Sequence, residues 1–253
     1  MSGLVLACAF IDLYYFYQMN IALLGYGKMG KAIEQIALER GHQIVARINS
    51  ETPLTSVQWS TVDVCIEFTQ PQLALQHIQF CAEKQVPIVV GTTAWLSGLE
   101  QAKASIALHD SALLHASNFS VGVNIFFALN QKLAELMANY PAYKVSLEET
   151  HHVQKLDAPS GTAVTLLEDL LETLKPYNSW SLDPNSSKQI PVVAHRIPDV
   201  PGTHEVRYDS EIDTIRIEHI AHNRKGFALG AVLAAEFLKG RKGYYQMSDV
   251  LNF

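Results

Sequence analysis

Within residues 149–163 the chain sets two adjacent imidazoles, His151 and His152, beside a lysine at Lys155 and a Pro159-Ser160-Gly161-Thr162 turn that opens an apolar run. An imidazole titrates near neutral pH and can deliver a proton to a carbon or nitrogen centre. A lysine adds a compact positive charge. Ser160 is a helix-capping residue type, so a helix starting after it presents the N–H groups of Gly161 and Thr162 to an anion. Together these groups suit a small, anionic, protonatable substrate. Neighbours on an extended chain point to opposite sides, so only one of His151 and His152 faces a given ligand atom. Two adjacent histidines alone are ordinary loop residues; Lys155 and the Ser-Gly-Thr turn give the pair its chemistry.

A second constellation, Gly25-Tyr26-Gly27-Lys28-Met29-Gly30, lies between an apolar run and a helical pattern. The first glycine permits the tight turn, the second lets the backbone approach a pyrophosphate, and the third allows close helix–strand packing. This is a dinucleotide-binding signature. The following strand carries Arg47 where an acid would hold the ribose of NAD; Arg47 suits a 2′-phosphate or is a solvated surface charge. Gly91-Thr92-Thr93 and Ser117-Asn118-Phe119-Ser120 each follow a predicted strand, the place where ligands sit in a doubly wound sheet. His219 and His222 have no acid or cysteine at metal spacing and read as structural, so no metal site is predicted. Arg224 is either a solvated loop charge or a carboxylate clamp.

These motifs need a scaffold, and the periodicity supplies one. Apolar runs at 21–24, 43–47, 62–68, 86–90 and 112–115 alternate with helical patterns at about 31–40, 72–83 and 96–108, predicting a parallel sheet covered on both faces. Beyond Asn118 the rhythm changes. Helices are predicted over 123–138, 163–174 and 227–238, with a strand at 143–149, a loop at 177–188 and antiparallel strands at 190–197, 204–210 and 214–221. The fold class is α/β: a Rossmann-type doubly wound domain at 19–117 and an α+β substrate and oligomerisation domain at 118–224. The segment 225–253 is predicted to return to the first domain.

At 253 residues, with 48% hydrophobic and 17% charged residues, the chain has the composition of a globular protein with real cores. A net charge of −6 without a basic block argues against nucleic-acid binding. Three cysteines without a C-x-x-C pair point to a reducing, cytoplasmic compartment. The apolar run at 3–11 is too short to span a bilayer and lacks a basic flank, so residues 1–18 read as an appendage ahead of Met19.

The combined motifs resemble the 4-hydroxy-tetrahydrodipicolinate reductase family, the dihydrodipicolinate reductases of diaminopimelate and lysine biosynthesis. The likeness runs from Met19 to the end, through the glycine loop, Glu67-Phe68-Thr69, Gly91-Thr92-Thr93, Asn118 to Asn124, and His151 to Ala163. Gly202-Thr203-His204-Glu205, Phe227-Ala228-x-Gly230-Ala231 and Met247 to Leu251 extend it. The resemblance implies hydride transfer from NADH or NADPH to a cyclic imine dicarboxylate, with loss of water. It implies His151 as proton donor and acceptor and Lys155 as second donor. His152, Ser160, Gly161, Thr162 and Arg224 would bind substrate. Gly25, Tyr26, Gly27, Lys28, Met29, Gly30, Arg47, Phe68, Gly91, Thr92, Thr93, Ala116, Ser117, Asn118 and Phe119 would border the cofactor, in a homotetramer. Glu67 departs from the family, where an aspartate is common. Another two-domain nicotinamide dehydrogenase would explain the first domain equally well but not the His151–Thr162 segment. A cofactor-sensing protein without turnover is the reading from a different class.

Overall fold

The computed structural model describes residues 18–223 and 225–253; the appendage up to Tyr17 and the predicted clamp Arg224 lie outside the described residues. Strand β1 (Asn20–Leu24) is an apolar run whose last four residues are all buried, as a central parallel strand requires. It is followed by α1 (Lys28–Glu39), β2 (Gln43–Ile48), β3 (Val64–Glu67), α2 (Pro71–Glu83), β4 (Ile88–Val90), α3 (Leu99–Leu108) and β5 (Ala112–His115). Next come α4 (Val121–Met137), β6 (Lys144–His151), α5 (Gly161–Thr173), β7 (Ser179–Ser181), β8 (Gln189–Arg196), β9 (Gly202–Asp209) and β10 (Thr214–Ala221). The chain ends with α6 (Lys225–Leu238), β11 (Gly243–Tyr245) and α7 (Met247–Leu251).

The first sheet is parallel throughout, in the order β11-β5-β4-β3-β1-β2. Its strand order turns at β1, so the carboxyl ends of β1 and β3 open a crevice of the kind that holds ligands in such sheets. Alternate residues serve opposite cores. Ile21 and Leu23 pack with α1 and α6, whereas Ala22 and Leu24 pack with α2 and α3. The edge strand β11 was not predicted, because a three-residue run carries too little periodicity to register.

The second sheet has the order β10-β9-β6-β8-β7, and α4 and α5 cover one of its faces. Three expectations are corrected here. Strand β8 pairs parallel to β6 rather than antiparallel, because α5 carries the chain back across the sheet before β8 begins. The predicted loop at 177–188 contains the short strand β7, which pairs parallel with β8. Helix α4 starts two residues earlier than predicted, where the Ser120 hydroxyl accepts the Val123 N–H at 3.4 Å.

Helix α6 joins the two halves. Its Ala228, Ala231, Val232, Ala234, Ala235 and Leu238 enter the core of the first sheet. Near its end, Glu236 receives Arg40 at 2.7 Å and the buried His42 at 2.8 Å. At its centre Gly230 lies against the backbone of Phe119, whose carbonyl oxygen would sit 1.6 Å from an added Cβ. Gly230→Ala therefore tests two opposed effects. Helix propensity alone favours alanine by about 1 kcal/mol, whereas forcing Phe119 aside costs about 1–3 kcal/mol. The expected outcome is net destabilisation in a urea titration; a variant more stable than the parent would show that the contact yields freely.

Candidate active site

Period-2 alternation along β6 buries Val145, Leu147, Glu149 and His151 on the helix-covered face. The last two are the polar end of that row. Register across the sheet places His204 of β9 opposite Glu149 and Arg196 of β8 opposite His151. Both Glu149 oxygens accept the Ser160 N–H, at 3.1 and 3.0 Å, and the Arg196 guanidinium lies 3.3–3.4 Å from one of them. Arg196 also donates to the backbone oxygens of Lys155 and Asp157, fastening the loop after β6. Ser160 caps α5, accepting the Ala163 N–H at 3.2 Å, and its Oγ lies 3.0 Å from His204 Nε2.

Above this network is a cavity of about 660 Å³, whose walls include His151, His152, Lys155, Ser160, Gly161 and Thr162. Gly161 and Thr162 are the first residues of α5, so their N–H groups have no acceptor within the helix. Thr93 and Asn118 reach the same cavity from the first sheet, and Asn118 Nδ2 donates to Thr162 Oγ1 at 3.3 Å. Lys155 Nζ is held by both Asp157 carboxylate oxygens at 2.9 Å. Ser160, predicted as a substrate contact, is buried and its hydroxyl is engaged within the protein; it shapes the helix start.

Thr93 also lines a groove of about 390 Å³ with Gly27, Lys28, Met29, Gly30, Phe68, Gly91 and Thr92. The conformation of Gly25, with φ of +92° and Phe68 O only 2.0 Å from an added Cβ, excludes any side chain there. Over Gly27, in contrast, an added Cβ meets nothing within 4 Å, which leaves room for a phosphate beside the start of α1. An adjoining pocket of about 380 Å³ is bordered by Gly25, Tyr26, Asn49 and Ser50. Arg47, predicted for this position, does not line it: its guanidinium is paired with Glu34, which also takes the Tyr26 hydroxyl. Ala116 and Ser117 line the cleft between α4 and α7. The Phe119 ring is buried and tilted against Phe68 with centroids 5.7 Å apart, so it supports the loop from below.

Among the described residues, Glu149, His151 and His204 bring three metal-ligand atoms within 4.8 Å of one another. The carboxylate is already surrounded by donors and a guanidinium, an arrangement built for hydrogen bonding more than for a cation. Sequence reasoning passed over Glu149, Arg196 and His204 as site residues. The spacing of Glu149 and His151 on a strand was the available signal for the first; the other two depend on strand register.

Models of dihydrodipicolinate reductase match the chain at both ends, the N-terminal one over residues 19–119 and the C-terminal one over residues 122–251. The chain belongs to the dihydrodipicolinate reductase family. A 4-hydroxy-tetrahydrodipicolinate reductase from Christiangramia forsetii is 48% identical over 92% of this chain and 98% of its own length. Among solved structures, a dipicolinate-bound dihydrodipicolinate reductase from Paenisporosarcina sp. TG-14 superposes with a TM-score of 0.74 at 23% identity, covering 90% of this chain and 97% of that one. An amine dehydrogenase from Mycobacterium smegmatis shares the fold more loosely, with a TM-score of 0.59 at 11% identity over 90% and 95% of the two chains.

The electrostatics of this reductase site have a measurable consequence. Burial acts to raise the Glu149 carboxyl, but His204 and the Ser160 hydroxyl and N–H overcome it and hold the group at about 2. Burial, then the field of His204, lowers the His151 imidazole to about 4 against the pull of Glu149. Burial also lowers His115 and His219. Each of these groups binds protons more weakly in the folded protein than in the unfolded chain, so folding stability falls as the pH is lowered. The histidine part is lost from about 6.5 downward, to about 4 for His151, and the Glu149 part from about 4.5 to about 2. Urea midpoints measured between pH 7.5 and 4.5 are expected to drop, and His151→Gln to flatten part of that slope. A parent midpoint constant over the range would contradict the assignment.

Proposed function

We propose that the chain reduces 4-hydroxy-tetrahydrodipicolinate to tetrahydrodipicolinate, with loss of water, in the diaminopimelate route to L-lysine. The observation that carries this reading is the single cavity in which Thr93 and Asn118 of the dinucleotide side meet His151, Lys155, Gly161 and Thr162. A bound nicotinamide supplies the hydride. The glycine loop and Gly91–Thr93 would hold it, and the open space over Gly27 fits its phosphates.

The chain's own groups manage charge and protons. The N–H groups of Gly161 and Thr162 and the His152 ring bind one substrate carboxylate, and Arg224 would bind another. His151, whose charged form the two substrate carboxylates would favour against the burial that lowers it, gives and takes the proton that balances hydride addition, and Lys155 serves as the second donor. Negative charge developing on the ring is stabilised by Lys155, which must exchange Asp157 for the substrate. Purified protein is expected to oxidise reduced nicotinamide only when the condensation product of aspartate semialdehyde and pyruvate is supplied. His151→Gln and Lys155→Ala should each lower kcat by about 100-fold or more while leaving cofactor affinity, read by fluorescence titration, near that of the parent. Full turnover in both variants would remove the proton-donor roles.

Asn49 and Ser50 offer an amide and a hydroxyl at the ribose pocket, with neither an acid to repel a 2′-phosphate nor a free arginine to select one. We therefore assign use of both NADH and NADPH, with kcat/KM values within about tenfold of each other, a free-energy difference of about 1.4 kcal/mol. A preference well beyond that in side-by-side assays would refute it. Assembly as a homotetramer is supported by the uncovered face of the second sheet, where Val193 and Ile220 are exposed. Exposed Ile125, Leu129 and Leu136 along α4 give further support. A cytoplasmic location fits the unpaired Cys65 and Cys81, and among the described residues no helix is long and apolar enough to cross a membrane.

A further inference from the structure

We propose that Glu149 and His204 are positioning residues for this reduction, holding His151 and the anion-facing start of α5 in one fixed relation. The inference rests on the reading of His151 as the proton donor. Its basis is connectivity. Glu149 Oε2 lies 3.6 Å from His151 Nδ1 and 3.6 Å from His204 Nε2, and the same carboxylate takes the N–H of Ser160. His204 Nε2 is 3.0 Å from the Ser160 hydroxyl that caps α5, and its ring meets that of His151 edge-on with centroids 5.0 Å apart. Displacing either Glu149 or His204 therefore disturbs the imidazole and the helix start together.

Two further features separate this role from plain structural support. His151 Nδ1 is buried without a hydrogen-bond partner, and Glu149 Oε2 stands just beyond bonding distance from it. A small rotation of the ring on substrate binding would complete that bond, fixing the proton on Nδ1 and turning Nε2 toward the reacting centre. Gly202 leaves space for this, because a Cβ there would lie 3.0 Å from His151 Nε2. The charge on residue 149 also exceeds what capping requires, since a neutral amide oxygen accepts the Ser160 N–H as well.

The groups facing His151 act on it in opposite senses. Glu149 of β6 favours the imidazolium; His204 of β9, Lys155 of the following loop and Arg196 of β8 disfavour it. Glu149→Gln removes the supporting charge and His204→Gln removes a ring that acts against the imidazolium. In profiles of kcat against pH at saturating substrate, the pH above which the rate falls should move down in Glu149→Gln and up in His204→Gln. Each shift should be about half a unit or more, with kcat lowered in both and cofactor affinity unchanged. Glu149→Asp should recover part of the Glu149→Gln loss.

Shifts of the same sign in both variants, or none in folded protein, would overturn the positioning role. If Glu149→Gln fails to fold by circular dichroism, the direction of the His204→Gln shift decides alone. His151→Gln, run in parallel, separates the two levels. Retained turnover there overturns the proton-donor reading and this inference with it. Collapsed turnover without opposed shifts overturns only the inference.

Discussion

Removing an ionised carboxylate from water costs several kcal/mol unless donors surround it, and Glu149 is fully buried at the end of β6. The Ser160 N–H, the Arg196 guanidinium and two nearby imidazoles supply that surrounding. Each partner also has a second task. Ser160 starts α5, Arg196 fastens the 155–157 loop through two backbone oxygens, and His151 lines the cavity. The end of β6, the loop into α5 and the ends of β8 and β9 thus take their positions around one charge. Low dielectric strengthens each of these contacts and makes a partial set unfavourable, so the network is either complete or strained.

The dinucleotide side is fixed by packing. Gly25 turns beneath Phe68, the Phe68 ring fills the space a Gly91 side chain would occupy, and Phe119 lies between Phe68 and α6. Because α6 follows β10 of the second sheet and packs into the first, the Phe119–Gly230 contact sets where the two sheets meet. The Asn118–Thr162 hydrogen bond then joins the loop after β5 to the start of α5. Hydride transfer is steeply sensitive to distance and alignment, and in the proposed reading this short chain of contacts would keep donor and acceptor in register.

Most of the scaffold was legible because its signals are local. The alternation of apolar strands and amphipathic helices up to His115, the glycine turn, and the Ser160 cap each follow from a few consecutive residues. What escaped depends on contacts distant in sequence. The parallel pairing of β8 follows from where α5 returns the chain, and β11 is a strand only because β5 offers an edge for Gly243–Tyr245. At the site, His151, Lys155 and the Ser-Gly-Thr turn stood out as a cluster in sequence. His204 and Arg196 are 53 and 45 positions beyond His151 and became visible only through register. Arg47, readable from sequence either as a 2′-phosphate contact or as a surface charge, is paired with Glu34 of the preceding helix.

Lys155 and Arg47 share a design that bears on selectivity. Each cation aimed at a ligand site by its place in the sequence is already paired with an acid of the chain, Asp157 in one case and Glu34 in the other. The Asp157 side chain is largely exposed, so its pair with Lys155 is worth little in water and a substrate anion can replace it. The Glu34 side chain is mostly shielded and holds the Tyr26 hydroxyl as well, so it is the more firmly fixed of the two acids. The same motif thus has two outcomes. In the proposed reading it leaves a lysine ready for a dicarboxylate and keeps an arginine on Glu34, outside the pocket bordered by Asn49 and Ser50.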